Sequence, residues 1–377
     1  MLHVVLDTTA YKEDPQRKRA GFQALGQLCQ QGAIVLHIPS IVRREFISHL
    51  GHDLENVLEE TVRSVRRLQR IDEPADSKAR ADHVAGELSQ LAGTYARDVE
   101  NRFDQWVGNI GALLHDVPAD CLNEVLEQYF AGQGPFKKVK NREDFPDAFI
   151  WHTVRQIAAD HKSYVVCADN NLRAAIAKLP DVDVFENLDA LIESQIVQDL
   201  FPDNFIRRHS TEILGLFEDD QRFLERELLA LLTAELTSSH ISYRDDDSAD
   251  ITDVSRISTL EFDFLSARQY GSDVFRVPFE ASVEITLDYF LLKTTYYEMP
   301  DWESQWIDIG DSDWNESYMH VTEQETLELT GVLAISLDAR AIIAGRKDGA
   351  LTWSDLQYNY QLSLDRLDRL RIQDNPY

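Results

Sequence analysis

Four acids lie where a parallel sheet would gather them: Asp7 ends the apolar run LHVVL, Glu45 follows AIVLHIP, Asp147 opens DFPDAFIWHTVRQIAADH, and Asp169 follows SYVVCA. A carboxylate closing a buried strand is costly unless a cation or a ring of donors meets it. At the C-terminal edge of such a sheet an acid is more often functional than decorative. Several together cannot stay ionised in a low-dielectric cleft without cations, and hard oxygen ligands select Mg2+ or Mn2+. Two such ions would clamp the attacking and leaving oxygens of a phosphodiester, so the expected chemistry is hydrolytic strand cleavage.

The elements that must place these acids follow from strand and helix signals alternating through the first 200 residues, which predict a parallel sheet covered by helices on both faces. LHVVLD reads as strand one. Asp14 and Pro15 supply an N-cap and a first-turn proline for a helix closed by Gly32. AIVLHIP reads as strand two, and Ser40 caps a long helix with Leu58, Val62, Val65 and Leu68 on one face. Residues 79–131 read as further helices, an inserted helical region. A helix with Ile150, Val154 and Ile157 on its inner side then leads into SYVVCA as strand three, and a VDVF strand and a helix to Leu200 complete this half. The pattern stays helical to about Leu236 and changes at SSHISYRDDDSAD, a polar acidic stretch of the kind that marks a boundary. Beyond it the period is two, in Phe279 to Tyr289, Leu327 to Leu337 and Leu356 to Leu364. Such alternation means antiparallel strands with one face buried. The expected organisation is residues 1–200 as an α/β domain, 201–238 as a helical connector and 239–377 as an acidic, mainly antiparallel β domain.

The motifs VVLDTT, IPSIVRREF, DFPDAFIW and VVCADNNL occur in the order and context of the PIN-domain nucleases, which residues 1 to about 200 resemble, enlarged by helices. The resemblance implies a PIN-like parallel sheet flanked by helices, metal-dependent endoribonuclease activity, and an acidic metal site onto which Asp7, Glu45, Asp147 and Asp169 map one by one. Thr8 matches the small hydroxyl residue usual after the first acid, where it would orient Asp7. Two positions depart from the pattern: Cys167 replaces a hydroxyl residue, and Asn171 replaces a further acid. Asp144 is an alternative to Asp147. Asp147 is preferred because it lies inside the helix on the DAFIW pattern, which leaves Asp144 as an N-cap.

Bland readings stand beside these. Glu45 could be a solvated helix face, Asp169 an N-cap, and Asp144 and Asp147 first-turn charges favoured by the helix dipole. Lys137, Lys138, Lys140 and Arg142 precede the third motif directly and are candidate phosphate contacts. Arg63, Arg66, Arg67 and Arg70 form a second basic stripe, equally readable as a face balancing Glu59 and Glu60. His49 and His52, on the same helical side as Glu45, read as surface residues. Trp302, Trp306 and Trp314 lie among acids and suit a protein-contact loop.

The chain's 377 residues carry a net charge of -29, where a protein that grips nucleic acid along its length would be basic. Residues 1–200 hold 22 Lys and Arg against 31 Asp and Glu, and residues 201–377 hold 15 against 35. The acidic second half is thus expected to regulate by mimicking substrate or to bind a basic protein partner, with RNA favoured over DNA for the first half. No basic leader precedes the first strand and no apolar stretch is long enough for a bilayer, so a cytoplasmic protein without a membrane partner is expected. The three cysteines form no C-x-x-C pair. Two other classes compete with the nuclease: a non-catalytic PIN-like scaffold, and a phosphohydrolase of the haloacid-dehalogenase kind. The latter lacks the aspartate required two places after Asp7.

Overall fold

In the computed structural model, residues 1–68, 75–244, 246–300, 304–312, 316–346 and 350–372 are described, and the chain divides into two compact units, Met1–Phe201 and Pro202–Tyr377. The first is a five-stranded parallel sheet of β1 (Leu2–Leu6), β2 (Ile34–Pro39), β3 (Leu113–His115), β4 (Ser163–Val166) and β5 (Val182–Phe185), in the order β3-β2-β1-β4-β5. Its central strands read as continuous apolar runs because helices cover both faces. The strand order reverses between β1 and β4, and the crevice beyond their C-terminal ends is where open α/β sheets hold ligands. Asp7 and Asp169 stand at that point, and the Asp7 N–H donates to the Val166 carbonyl at 2.9 Å, tying the two strand ends together.

Helices α1 (Thr8–Glu13) and α2 (Ala20–Gln30) join β1 to β2, with Asp14 in the turn between them rather than opening one helix. Its carboxylate accepts from the Arg19 N–H at 2.8 Å. The long helix expected after β2 is α3 (Ser40–Leu68), and residues 79–131, expected as inserted helices, hold most of α4 (Ala75–Ile110), the edge strand β3 and a shorter helix; Arg43 of α3 clamps α4 by donating to Glu100 and Asp104. Tyr11, Phe46 and Phe103 are fully buried and pack edge-on or tilted against one another, fastening this pair to α1. α5 (Leu122–Ala131), α6 (Phe145–Asp160) and α7 (Asn170–Ile176) complete the layers that bear on the site.

Histidines from four neighbouring positions line up diagonally across one face of this sheet: His161 just before β4, His3 on β1, His37 on β2 and His115 on β3. His3 Nδ1 lies 2.9 Å from His37 Nε2, and His37 Nδ1 lies 2.7 Å from His115 Nε2. Each contact needs one proton between two nitrogens, which neutral rings provide. Burial, then the neighbouring His115, His3 and His161, push the His37 pKa down to about 4, and burial lowers His3 and His115 as well. A histidine whose folded pKa is depressed lends stability above its ordinary value near 6.5, and that stability is lost as pH falls toward 4. His37→Leu is therefore expected to flatten the loss of melting temperature between those pH values relative to wild type. An unchanged slope would refute the role of the ladder.

The second unit is a seven-stranded sheet of β6 (His240–Tyr243), β7 (Asp246–Phe262), β8 (Arg268–Tyr270), β9 (Val274–Leu292), β10 (Ile307–Asp311), β11 (Tyr318–Leu337) and β12 (Tyr360–Ile372), with antiparallel pairings throughout. Within the stretch expected to mark a boundary, residues 240–243 are β6 and residues 246–250 begin β7. The helices expected as a connector belong to this unit's core, where Leu224, Leu228, Leu232 and Leu236 of helix Gln221–Leu236 pack with Ile251, Val254 and Ile257 of β7. The helical four-residue spacing of those leucines gives the helix one apolar stripe, which the sheet covers. Among the described residues no helix is long and apolar enough to cross a membrane.

Candidate active site

Each of the four acids is set by a different element, and the parallel topology brings those elements to one edge. Asp7 takes the N-cap position of α1 and is 7 % exposed. Glu45 lies in the second turn of α3, Asp147 in the first turn of α6, and Asp169 caps α7. The Thr8 hydroxyl, expected at Asp7, donates to Glu45 Oε2 at 2.7 Å, while the Thr8 N–H bonds Asp7. Thr9 takes that part, donating to Asp7 Oδ2 at 3.2 Å, with the Cys167 thiol 3.8 Å from the same oxygen. Neither contact was anticipated, although the doubled threonine of VVLDTT is the signal from which the first could be found.

The electrostatics show how closely these charges are coupled. Burial raises the Asp7 pKa, the Thr8 N–H and the Thr9 hydroxyl partly offset it, and the Glu45 charge raises it further. Asp147 is pushed up to about 7 by burial and then by the charges of Asp7 and Asp169, against the pull of Lys137. Asp169 behaves oppositely: burial would raise it, but the Leu172 N–H, the Lys137 ammonium and the Asn171 N–H outweigh burial and hold it below the usual carboxylate range. Burial raises the Cys167 thiol far above physiological pH, which makes it a poor nucleophile.

Asp169 has the bland role of a helix cap and, beside it, a lysine partner. Its Oδ1 accepts from the Asn171 and Leu172 N–H groups at 2.8 and 2.9 Å, the geometry of an N-cap, while Oδ2 accepts from Lys137 Nζ at 3.1 Å. Asn171 is exposed and its contact with the acid is through the backbone. Asp144 occupies the N-cap position of α6 but makes no side-chain cap bond; it is 2 % exposed and accepts from the Lys137 N–H at 2.7 Å. It is thus a brace for the basic loop.

Of the candidate substrate contacts, Lys138, Lys140 and Arg142 are exposed, and Lys140 Nζ lies 5.7 Å from the centre of the exposed Phe130 ring. Arg63 pairs with Glu59 at 2.9 Å on an open helix face, as the bland reading had it. Arg70, Trp302 and Trp314 lie outside the described residues, as do the side chains of Arg66 and Arg67. Trp306 is 69 % exposed, and His49 and His52 are also exposed.

Among the described residues no three acidic, histidine or cysteine side chains stand close enough to enclose an ion as they are. The chemistry of the donor set is that of a hard divalent cation's ligands, carboxylate oxygens, and Asp147 is raised by burial first and then by the charges of Asp7 and Asp169.

Residues 4–172 match the family model described as PIN domain. Searches of the curated proteins and of the solved structures find no match. The strand order, the acids at the β1 and β4 switch point and this match agree, and residues 4–172 are a PIN domain.

Proposed function

We propose that the first unit is a divalent-cation-dependent nuclease that hydrolyses phosphodiester bonds, with RNA as its substrate. PIN domains are typically nucleases and generally use divalent metals. The observation that carries the reading is the position of Asp7 and Asp169 at the sheet's switch point, close enough that their charges, after burial, raise Asp147. Asp7, Asp147, Asp169 and Glu45 would hold Mg2+ or Mn2+, which when bound supplies Lewis acidity and a more acidic water. Thr8 and Thr9 hold Glu45 and Asp7 against rotation, so that less ordering remains to be done when substrate arrives. Lys138, Lys140 and Arg142 offer charge to the phosphates on either side of the scissile bond.

A non-catalytic scaffold is favoured by one observation, the engagement of both Asp169 oxygens. The two readings separate when purified protein is incubated with labelled single-stranded RNA, duplex RNA and DNA, with and without Mn2+. Cation-dependent cleavage is expected, and none on any substrate would leave the scaffold.

The second unit is proposed to regulate the first or to receive a basic protein partner. Its polar sheet face mixes charges, since Arg256 pairs with Glu284, and Arg369 and Arg371 border Glu280 and Glu328. The charge of residues 201–377 still repels nucleic acid at low ionic strength. A fragment ending at Phe201, the observed boundary, should bind RNA more tightly than the whole chain, with the gap closing as salt rises. Weaker binding by the fragment at every salt concentration would mean that the second unit aids capture.

A further inference from the structure

Lys137 is not placed as a free surface lysine would be. Its N–H is taken by the buried Asp144 carboxylate at 2.7 Å, and its neighbour Phe136 is 4 % exposed and packs edge-on against Tyr129 and Phe145. Three residues on, the Lys140 N–H donates to the Tyr129 carbonyl at 2.9 Å, with Lys140 at a φ of +59°. The backbone under Lys137 is thus held on both sides, and its side chain reaches Asp169. There the ammonium meets Oδ2, the oxygen that the helix cap leaves open, because Oδ1 already serves two backbone N–H groups. The two side chains are about equally open to solvent, at 36 % and 34 %, so an incoming ion or phosphate can reach either.

We infer that Lys137 is a built-in counter-cation that competes with the divalent ion for Asp169, so that it sets the cation affinity of the site. The inference rests on the nuclease reading of the four acids and adds a regulating residue to it. A monovalent charge on a tether satisfies one carboxylate in the metal-free protein. A divalent cation must drive it off Oδ2, and the freed ammonium is then available to a phosphate, the role expected of Lys137 from sequence. Lys137 is thereby a positioning residue that couples cation arrival to substrate charge.

The test is Mn2+ binding to the full chain by titration calorimetry, without nucleic acid. Lys137→Met is expected to tighten Mn2+ binding about tenfold, because it removes a like charge within one contact of the ligand oxygen. Lys138→Met removes the same charge from the exposed neighbour and should change affinity less than about twofold, since solvent and salt screen it. Lys137→Arg keeps the charge and should bind no more tightly than wild type. Unchanged or weaker binding in Lys137→Met, or an equal effect of Lys138→Met, would overturn the inference while leaving the metal site standing. No Mn2+ binding by wild type and Lys137→Met alike would overturn both.

Discussion

Asp7→Asn is expected to lower Mn2+-dependent RNA cleavage by a factor of about one hundred or more while leaving the melting temperature at neutral pH equal to or above that of wild type. The loss follows from removing the acid at the centre of the site. A correctly held cation supplies several kcal/mol of charge stabilisation, and each ~1.4 kcal/mol is tenfold in rate. The stability gain follows from linkage. Burial raises the Asp7 pKa in the folded chain, and an acid raised on folding contributes stability that is present at low pH and lost as pH climbs through its folded value. Above the ordinary carboxylate range the buried Asp7 is therefore a liability, which the amide removes while still accepting from Thr9. The pair of measurements matters, because a stable and inactive variant cannot owe its inactivity to unfolding. Cleavage within about threefold of wild type would remove Asp7 from the site.

The parts of the first unit that hold the acids are legible because buried parallel strands are short apolar runs, with Asp7 directly after β1 and the other acids in or capping helices next to β2 and β4. What escaped had physical reasons. β3 is three residues long at the sheet edge, and its Leu113 and Leu114 are about half exposed, so it carries no burial pattern. The β7 strand hides its apolar set at Ile251, Val254, Ile257 and Leu260, a spacing of three that reads as helical or as nothing. Register shifts after Ile251, Val254 and Ile257 insert an extra residue each time and keep those side chains on one face. β9 and the clear part of β11 have no such shifts against one another, and their alternation was plain. At the site, identity and order single out the acids, but their partners do not follow from sequence. The Thr8 hydroxyl turns to Glu45 while its N–H bonds Asp7, and the Lys137 to Asp169 contact joins residues 32 apart through a loop braced by Asp144.

The alternation that began at Leu356 stops at Leu364, and the reason carries the largest stability effect expected in the second unit. Leu333 pairs with Leu364 and Val332 with Arg366, so Asp365 is the extra residue of a bulge. The bulge re-aims Asp365 inward, where it lies 2.9 Å from Arg276 Nε on β9, with both side chains at least 95 % buried. The Arg276 guanidinium also lies 4.6 Å from the centre of the Tyr270 ring. Close packing here leaves no slack, since a Cβ on Gly331 of β11 would stand 2.6 Å from the Arg366 carbonyl oxygen. Asp365→Leu leaves a buried guanidinium without its counter-charge and is expected to cost about 3–5 kcal/mol. The combined Arg276→Met and Asp365→Leu variant should recover most of that loss, because apolar groups of similar volume often replace a buried pair at little cost. Hydrogen exchange of the β9 and β11 amides on the full chain measures the effect in this unit, with β1 and β4 amides as the internal reference. A loss below about 1 kcal/mol in the single variant would make the pair incidental to stability. A double variant as unstable as the single one would mean that the bulge needs the carboxylate for its shape, and that the charge balance is secondary.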